Sequence, residues 1–285
     1  MAQSYFTETV LVDSQQISYY RAGEQGSPVV LLHGGGTDSA LLSWRYALPE
    51  LAKSHRVFAL DWPGYGKSDP LAGAYTLDRL VPILAGWMDQ VGLERASLVG
   101  LSMGGGAAIA YALAYPRRVD HLVLVDTYGI QRKAPAHLVS YLYIRMPFLV
   151  SATWAAIRRD KGMTRSAVRS IFADPEGFTE EFVDELFEAV QSRSGERSFY
   201  SFQRYEMTLK GVRTNYVSVL PKIEAPTLFI HGDSDRLVPI AEIRQVVESM
   251  PDARLVVMDK TGHWPPREHP EQFNQLVLDF LKGTR

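Results

Sequence analysis

Short, continuous apolar runs that end at glycine-rich turns constrain the fold of this chain more than any other feature. Residues 28–33 (PVVLLH) run into a string of glycines, and residues 96–101 (ASLVGL) run into the segment Ser-Met-Gly-Gly-Gly. Such runs are typical of strands that are buried on both faces of a sheet. Between them, residues 41–53 and 76–91 show the apolar spacing of helices. Strands and helices that alternate in this order predict a parallel sheet with crossover helices.

The predicted sheet is mostly parallel and has eight strands, of which the first two form an antiparallel pair. The strands are residues 7–12, 16–21, 28–33, 55–60, 96–101, 119–125, 226–231 and 253–258. From about 130 to 220 no strand-like run occurs, and the segments have helical spacing. We therefore predict an α/β core formed by residues 1–129 and 221–285, flanked by helices. Residues 130–220 are predicted to form a helical cap, or lid, over the functional site, a packing ornament being the alternative.

The segment Gly100-Leu101-Ser102-Met103-Gly104 places a serine on the turn between a predicted strand and a helix-like run. A nucleophilic serine requires such a tight turn, because the turn projects Oγ away from the chain. The flanking glycines prevent collisions with neighbouring backbone. The start of the helix also directs backbone N–H groups at the site, which favours developing negative charge. The pattern predicts Ser102 as a nucleophile; a serine that only caps the helix is the alternative.

A second glycine-rich segment, His33-Gly34-Gly35-Gly36, follows the third predicted strand. Acyl transfer places negative charge on a carbonyl oxygen, and each preset backbone N–H donor stabilises it by about 3 kcal/mol. We predict that Gly35 and Met103 provide the two donors of this oxyanion hole. His33, at the end of the strand, is predicted to be structural. Taken alone, the glycine run is also compatible with a flexible turn.

An aspartate and a histidine follow the last two predicted strands. Asp235 lies in the segment HGDSDRLVP, and His263 lies in the segment TGHW. We predict that His263 takes the proton of the serine and that Asp235 orients the imidazole and stabilises its charged form. Asp126, at the end of the sixth strand, and Asp233 are the alternatives for the acid, and Asp235 is favoured over both.

The composition excludes several classes of function. Lys and Arg number 30 against 32 Asp and Glu, and no basic cluster predicts binding to nucleic acid. The absence of cysteine excludes disulfides, thiolate metal sites and a cysteine nucleophile. No signal peptide and no apolar run of roughly 18 residues occurs, so we expect a cytoplasmic protein without a membrane span. The glycine runs match neither phosphate-binding fingerprint, and we expect no cofactor and no metal.

Taken together, the four segments resemble the α/β-hydrolase superfamily over nearly the whole chain outside 130–220. The resemblance includes residues 61–68 (DWPGYGKS), which are similar to the D-x-x-G-x-G-x-S loop of that superfamily. The segments HGGG, SMGG (102–105) and 262–281 resemble the meta-cleavage-product hydrolases, which cleave carbon–carbon bonds in dienoate products of aromatic degradation. They also resemble many bacterial carboxylesterases. The resemblance implies an α/β-hydrolase fold with a serine nucleophile.

Two positions depart from the pattern of the carbon–carbon hydrolases. That family usually has Asn immediately before the nucleophile, where this chain has Leu101. It also uses an Arg in the lid to bind the carboxylate of the substrate, where this chain has Leu186. An anionic dienoate would lose a charge-assisted partner at Leu186. Arg193 and Arg197 are close enough in sequence to replace it.

Aromatic residues are frequent in the predicted lid. They are Tyr141, Tyr143, Phe148, Trp154, Phe172, Phe199, Phe202 and Tyr205. Over a catalytic serine they favour an apolar small-molecule substrate, although each of them is also compatible with ordinary packing. We therefore expect hydrolysis of carboxylic esters through an acyl-enzyme at Ser102. The alternatives are carbon–carbon bond hydrolysis of a dienoate, and ligand sensing or signalling with little turnover. A monomer and a homodimer are both compatible with the sequence.

Overall fold

The computed structural model describes residues 5–174 and 178–283. Within these residues, one sheet has the strand order β1-β2-β4-β3-β5-β6-β7-β8. The strands are β1 Phe6–Val12, β2 Gln15–Ala22, β3 Pro28–Leu32, β4 Arg56–Leu60, β5 Ala96–Leu101, β6 Val119–Val125, β7 Thr227–Gly232 and β8 Ala253–Met258. β2 pairs antiparallel with β1 and β4, and every other pairing is parallel. The predicted mostly parallel, eight-stranded α/β-hydrolase fold is confirmed.

The helices of the described residues flank this sheet or lie between β6 and β7. They are α1 Ala40–Trp44, α2 Ala47–Leu51, α3 Leu77–Gln90, α4 Met103–Ala114, α5 His137–Ile144, α6 Pro147–Arg159, α7 Lys161–Arg169, α8 Glu180–Gln191, α9 Glu196–Glu206, α10 Ile240–Ser249, α11 Pro265–Glu268 and α12 Pro270–Leu281. Short 3₁₀ turns cover Pro116–Arg118 and Leu220–Lys222. None of the described helices has the length and apolar character needed to cross a membrane.

One predicted helix is divided in the structure. The spacing of residues 41–53 predicts one helix, but they form the two short helices α1 and α2. Pro49 lies in the first turn of α2 and has no N–H to donate to the carbonyl of Arg45, four residues earlier. The backbone hydrogen bonds of α1 therefore do not continue into α2, which begins as a separate helix.

Each central strand contributes to two separate apolar cores. In β3, Val30 and Leu32 belong to the core on the side of α3 and α4. Val29 and Leu31 belong to the core on the side of α1, α2 and α12. Side chains of a strand alternate between its two faces, so a strand that is covered on both faces is apolar at every position. This arrangement accounts for the continuous apolar runs in the sequence.

The five helices α5–α9 are inserted between β6 and β7, and we refer to them as the inserted helices. A buried arginine of the core, Arg267, joins them to the loop after β8. Its Nη2 lies 3.0 Å from Oε2 of Glu185 on α8, and its guanidinium carbon lies 4.4 Å from the ring centre of Phe182. The inserted helices therefore pack against the loop that carries His263. Their action as a lid stays a prediction, and residues 175–177 of the predicted lid lie outside the described residues.

Candidate active site

Ser102 occupies the turn between β5 and α4 in a strained conformation, with φ 49° and ψ −116°. Two neighbouring glycines make this turn possible because they leave space. A Cβ on Gly100 would lie 2.6 Å from the carbonyl oxygen of Gly104, and a Cβ on Gly104 would lie 2.2 Å from that of Leu32. The backbone N–H of Ser102 donates to the carbonyl of Val125 at 2.9 Å, which ties the turn to β6. A non-glycine residue held at positive φ is a mark of functional sites.

The glycine loop after β3 lies beside this turn. Gly35 and Met103 line the same cavity as Ser102, and their backbone N–H groups have no hydrogen-bond partner among the described residues. The N–H of Gly34, by contrast, donates to Asp38 Oδ2 at 2.7 Å. A Cβ on Gly35 would lie 2.7 Å from the ring of Phe199 on α9. Free donors at Gly35 and Met103 are what an oxyanion hole requires, and the assignment stays a prediction.

His33 lies buried under the glycine loop. Its Nδ1 is 2.8 Å from the carbonyl oxygen of Gly34, and its Nε2 accepts the backbone N–H of Trp62 at 3.0 Å. Burial lowers the pKa of His33 to about 3. The ring is therefore neutral, both of its nitrogens are occupied, and it supports the loop from below.

The structure brings His263 and Asp235 together, although they follow different strands. The distance from His263 Nδ1 to Asp235 Oδ2 is 2.8 Å. The other carboxylate oxygen accepts the N–H of Leu237 at 2.7 Å and that of Val238 at 3.3 Å. Burial raises the pKa of Asp235, but His263 and these donors outweigh it and hold the pKa below its ordinary value. Asp235 thus favours its ionised form and is hydrogen-bonded to the imidazole, and its role as the orienting acid stays a prediction.

The two rival acids occupy different environments. Asp126 Oδ1 accepts the N–H of Gly232 at 3.0 Å and lies 3.1 Å from His231 Nδ1. Burial and the neighbouring Asp235 raise the pKa of Asp126 well above its usual range, so this carboxyl is protonated. Asp233 is exposed and accepts the N–H of Thr261 at 3.2 Å, which makes it part of the loop's own structure. Among the described residues, Asp235 is the carboxylate that is hydrogen-bonded to His263.

Among the described residues, three of this site also lie close enough together to hold a metal ion. One ligand atom each from Asp126, Asp235 and His263 lies within 4.8 Å of the others. The hydrogen bond between Asp235 and His263 already uses two of these atoms. The arrangement is that of a hydrogen-bonded acid–base pair with a second carboxyl group beside it.

Ser102 and His263 line one cavity of about 520 Å³ between the sheet edge and the inserted helices. No direct hydrogen bond joins their side chains in the described part of the chain; such bonds often tighten only when substrate binds. Of the aromatic residues predicted in the lid, Trp154, Phe199 and Phe202 line the cavity. The other five do not: Phe172 lies between α7 and α8 and packs on Phe182 and Trp264, and the remaining four lie elsewhere on the inserted helices.

An anionic substrate is bound best by a positively charged group, and the described wall of this cavity offers no basic side chain. No lysine or arginine is among its lining residues in the described ranges. Leu101 and Leu186, the two positions that depart from the family pattern, both line it. Arg193 and Arg197 are exposed and lie outside the lining, so they do not replace the missing arginine.

Sequence reasoning missed Glu268, which holds the histidine loop. Its Oε2 accepts the N–H of Gly262 at 2.9 Å and that of Ala173 at 2.8 Å, and its Oε1 accepts the N–H of Trp264 at 3.0 Å. Two of these donors flank His263, and the third belongs to the inserted helical region. The one available signal was a carboxylate five residues after His263.

Asp38 is a second residue that the sequence did not single out. It accepts hydrogen bonds from Gly34 N, from Ser39 N at 2.7 Å and from Ser43 Oγ at 2.8 Å. Burial, partly offset by these donors, raises the pKa of Asp38 to about 7 from its ordinary value of 3.8. Its charge therefore changes near neutral pH while it holds the glycine loop.

We expect Asp38→Asn to change how the free energy of unfolding depends on pH. Because the folded-state pKa is raised, the wild type is stabilised below about pH 4 and loses that stabilisation as pH rises towards 7. The introduced asparagine cannot ionise, so the deficit of the variant, caused by a lost acceptor, should shrink between about pH 4 and pH 7. Urea unfolding at several pH values measures this. A deficit that is constant with pH would contradict the shifted titration.

Comparison with known proteins places this site in context. Residues 27–270 match the family described as alpha/beta hydrolase fold. A 2-hydroxy-6-oxononadienedioate/2-hydroxy-6-oxononatrienedioate hydrolase of Pseudomonas putida is 33% identical over 280 residues, covering 94% of this chain and 92% of that protein. A 2-hydroxy-6-oxo-6-phenylhexa-2,4-dienoate hydrolase of Burkholderia cepacia is 31% identical, covering 99% of this chain and 98% of that protein. A solved structure of a meta-cleavage product hydrolase from Pseudomonas fluorescens IP01 has a TM-score of 0.82 at 29% identity, covering 98% of both chains.

These relatives contradict the expectation that the chain cleaves carboxylic esters. Their names describe hydrolases of oxo-dienoates, whose cleaved bond joins two carbon atoms. The physical reason for the error is that both reactions begin with attack of a serine on a carbonyl carbon. Both also need donors for the same oxyanion, so the motifs around Ser102 and Gly35 do not distinguish them.

Proposed function

The chain belongs to the α/β-hydrolase fold family, and from that premise we propose that it hydrolyses the carbon–carbon bond beside the 6-oxo group of a 2-hydroxy-6-oxo-dienoate. The observation that carries the proposal is the strained Ser102 in one cavity with the hydrogen-bonded pair of His263 and Asp235. Relatives that cover nearly the whole chain supply the class of substrate. The proposal also assigns Ser102 as nucleophile, His263 as base and Asp235 as the orienting acid.

The first step is attack of Ser102 Oγ on the ketone carbon. His263 takes the hydroxyl proton, and the resulting imidazolium is stabilised by the ionised Asp235. The ketone oxygen gains the negative charge and is held by the N–H groups of Gly35 and Met103. These donors are preset by the turn and the glycine loop, so they require no rearrangement during the reaction.

The second step breaks the bond between the former ketone carbon and the neighbouring carbon of the dienoate. Before this bond breaks, the substrate takes its 2-oxo tautomer, in which the proton of the 2-hydroxyl has moved to the carbon beside the ketone. The electron pair of the broken bond then spreads onto the 2-oxo oxygen, which takes the proton from His263 and becomes the 2-hydroxyl of the product. The acyl group remains on Ser102 and is released by water as a carboxylic acid, with His263 again as base. One water is consumed, and two products form: a carboxylic acid and a shortened 2-hydroxy-dienoate.

The cavity wall indicates how such a substrate is held. Its apolar side chains, among them Trp154, Phe199 and Phe202, suit a conjugated hydrocarbon chain. With Leu101 and Leu186 in the wall, the carboxylate of the dienoate has neutral partners instead of an arginine. We therefore expect substrate binding to depend on apolar contacts and KM to be high.

The test is to incubate the purified protein with 2-hydroxy-6-oxo-6-phenylhexa-2,4-dienoate in ¹⁸O-labelled water. Loss of the dienoate absorbance, with benzoate that carries one ¹⁸O atom, is the expected result. A series of p-nitrophenyl esters is run beside it. No benzoate, or a much larger kcat/KM for an ester, would overturn the proposal. Saturable binding of the dienoate with negligible turnover would instead support the ligand-sensing alternative.

A further inference from the structure

A buried glutamate of the inserted helices, Glu206, lies in the wall of the active-site cavity. It is the last residue of α9 and is 1% exposed. Phe199, Phe202 and Gln203 line the same cavity, and their spacing puts all four residues on one face of the helix. The carboxylate is therefore presented to bound substrate by the same helix face that forms the apolar wall.

Glu206 is linked to the turn of the nucleophile through Tyr128. The backbone N–H of Tyr128 donates to the carbonyl of Ser102 at 3.0 Å, and the hydroxyl of Tyr128 donates to Glu206 Oε2 at 2.9 Å. The carboxylate thus lies one tyrosine side chain away from the turn that carries Ser102. Burial and the adjacent carboxylate hold the pKa of Tyr128 well above its usual value, so the phenol keeps its proton and remains the donor.

All contacts of the Glu206 carboxylate are with neutral donors. Thr214 donates to it through N at 2.9 Å and through Oγ1 at 2.8 Å, in addition to Tyr128. No ion pair to Glu206 occurs among the described residues, and no lysine or arginine lines the cavity there. A carboxylate has about four acceptor sites, so one remains for a further donor. A buried carboxyl group whose hydrogen-bond partners are neutral can accept from a further donor and disfavours a second carboxylate beside it.

We propose that Glu206 selects the group attached to the ketone of the substrate: a group that carries a hydroxyl or amino donor, and no carboxylate. The dienoate end is itself anionic, so it is repelled from Glu206 and the opposite end of the substrate lies there. Dienedioates carry a carboxylate at both ends and are discriminated against. The inference rests on the proposed function and separates this chain from relatives that are named for dienedioates.

The experiment measures binding and turnover separately. Binding of acetophenone and its hydroxy-, amino- and carboxy-substituted forms to Ser102→Ala protein is measured by calorimetry. Turnover by the wild type is measured with dienoates that carry the matching aryl groups. A hydroxy or amino group should improve binding and kcat/KM by roughly tenfold or more, as expected for one hydrogen bond to a charged acceptor. A carboxy group should weaken both by a similar factor.

Glu206→Gln is the variant that tests the residue itself, because it keeps the size of the side chain and an acceptor for Tyr128. It should remove most of the preference for the donor group and most of the penalty for the carboxy group, each measured relative to the unsubstituted ligand bound by the same variant. Glu196→Gln, at the start of the same helix and outside the cavity lining, is the matched control and should keep both.

The two proposals fail in different ways. Equal binding of all four ketones to the Ser102→Ala protein, or a preference that Glu206→Gln leaves unchanged, would overturn the role of Glu206. If the dienoate is not turned over but the four ketones bind with the expected preference, the proposed reaction is wrong. The role of Glu206 in selecting the ligand is then still supported. If Glu206→Gln does not fold, the ketone series on the Ser102→Ala protein still decides, because equal binding overturns the proposal.

Discussion

Replacement of Ser102 by alanine should reduce turnover of the dienoate by roughly four to six orders of magnitude. In the proposed mechanism Oγ of Ser102 forms the covalent bond, and no other side chain of the strained turn can take its place. The donors at Gly35 and Met103 and the cavity are retained, so substrate should still bind. Single-turnover absorbance changes, recorded at saturating substrate for wild type and variant, measure the loss.

Two controls make this result specific for the nucleophile. Equilibrium binding of the dienoate to Ser102→Ala shows that the cavity is intact. Ser140→Ala removes another cavity-lining serine, whose Oγ donates to the carbonyl of Pro135 at 2.9 Å, and should leave turnover within about threefold. Residual turnover of about a tenth or more in Ser102→Ala would show that the chemistry takes place elsewhere.

The fold could be predicted from the sequence because its signals are local. A strand that is covered on both faces, such as β3 or β5, is apolar at every position, and the glycines at its end mark the turn. The predicted sheet thus needed no long-range information. The break between α1 and α2 was missed because Pro49 falls in a helix start, where proline is also well tolerated.

Prediction of the site was limited wherever the relevant contact is between distant segments. Ser102 and His263 stand in short motifs, and each follows a strand at the same sheet edge. Glu206 is held by Tyr128, which only the folded chain brings near, so no spacing in the sequence indicates it. For Glu268 the sequence offers its position five residues after His263, but not its hydrogen bond to the distant Ala173. The reaction was predicted wrongly because a ketone and an ester present the same carbonyl carbon to Ser102.

The sequence favours Asp235 over Asp126 as the acid but leaves both open, because both follow strands that end at the active edge. The structure separates them by protonation. The ionised Asp235 accepts from His263, whereas burial and the neighbouring Asp235 raise the pKa of Asp126 well above its usual range. A protonated carboxyl has the shape and hydrogen-bonding pattern of a carboxamide. An asparagine therefore resembles the protonated form of Asp126, but it does not resemble the ionised form of Asp235.

We therefore expect Asp235→Asn to lower kcat for the dienoate by about 10⁴, since an amide facing His263 Nδ1 favours the wrong tautomer. Asp126→Asn should lower it by less than about tenfold, because its oxygen still accepts from Gly232 and its amide replaces the carboxyl proton. Steady-state kinetics at about pH 8 compares the two variants, with thermal unfolding as a check on folding. If Asp126→Asn proved the more damaging change, Asp126 would be the orienting acid, and the hydrogen bond between His263 and Asp235 would have a structural role alone.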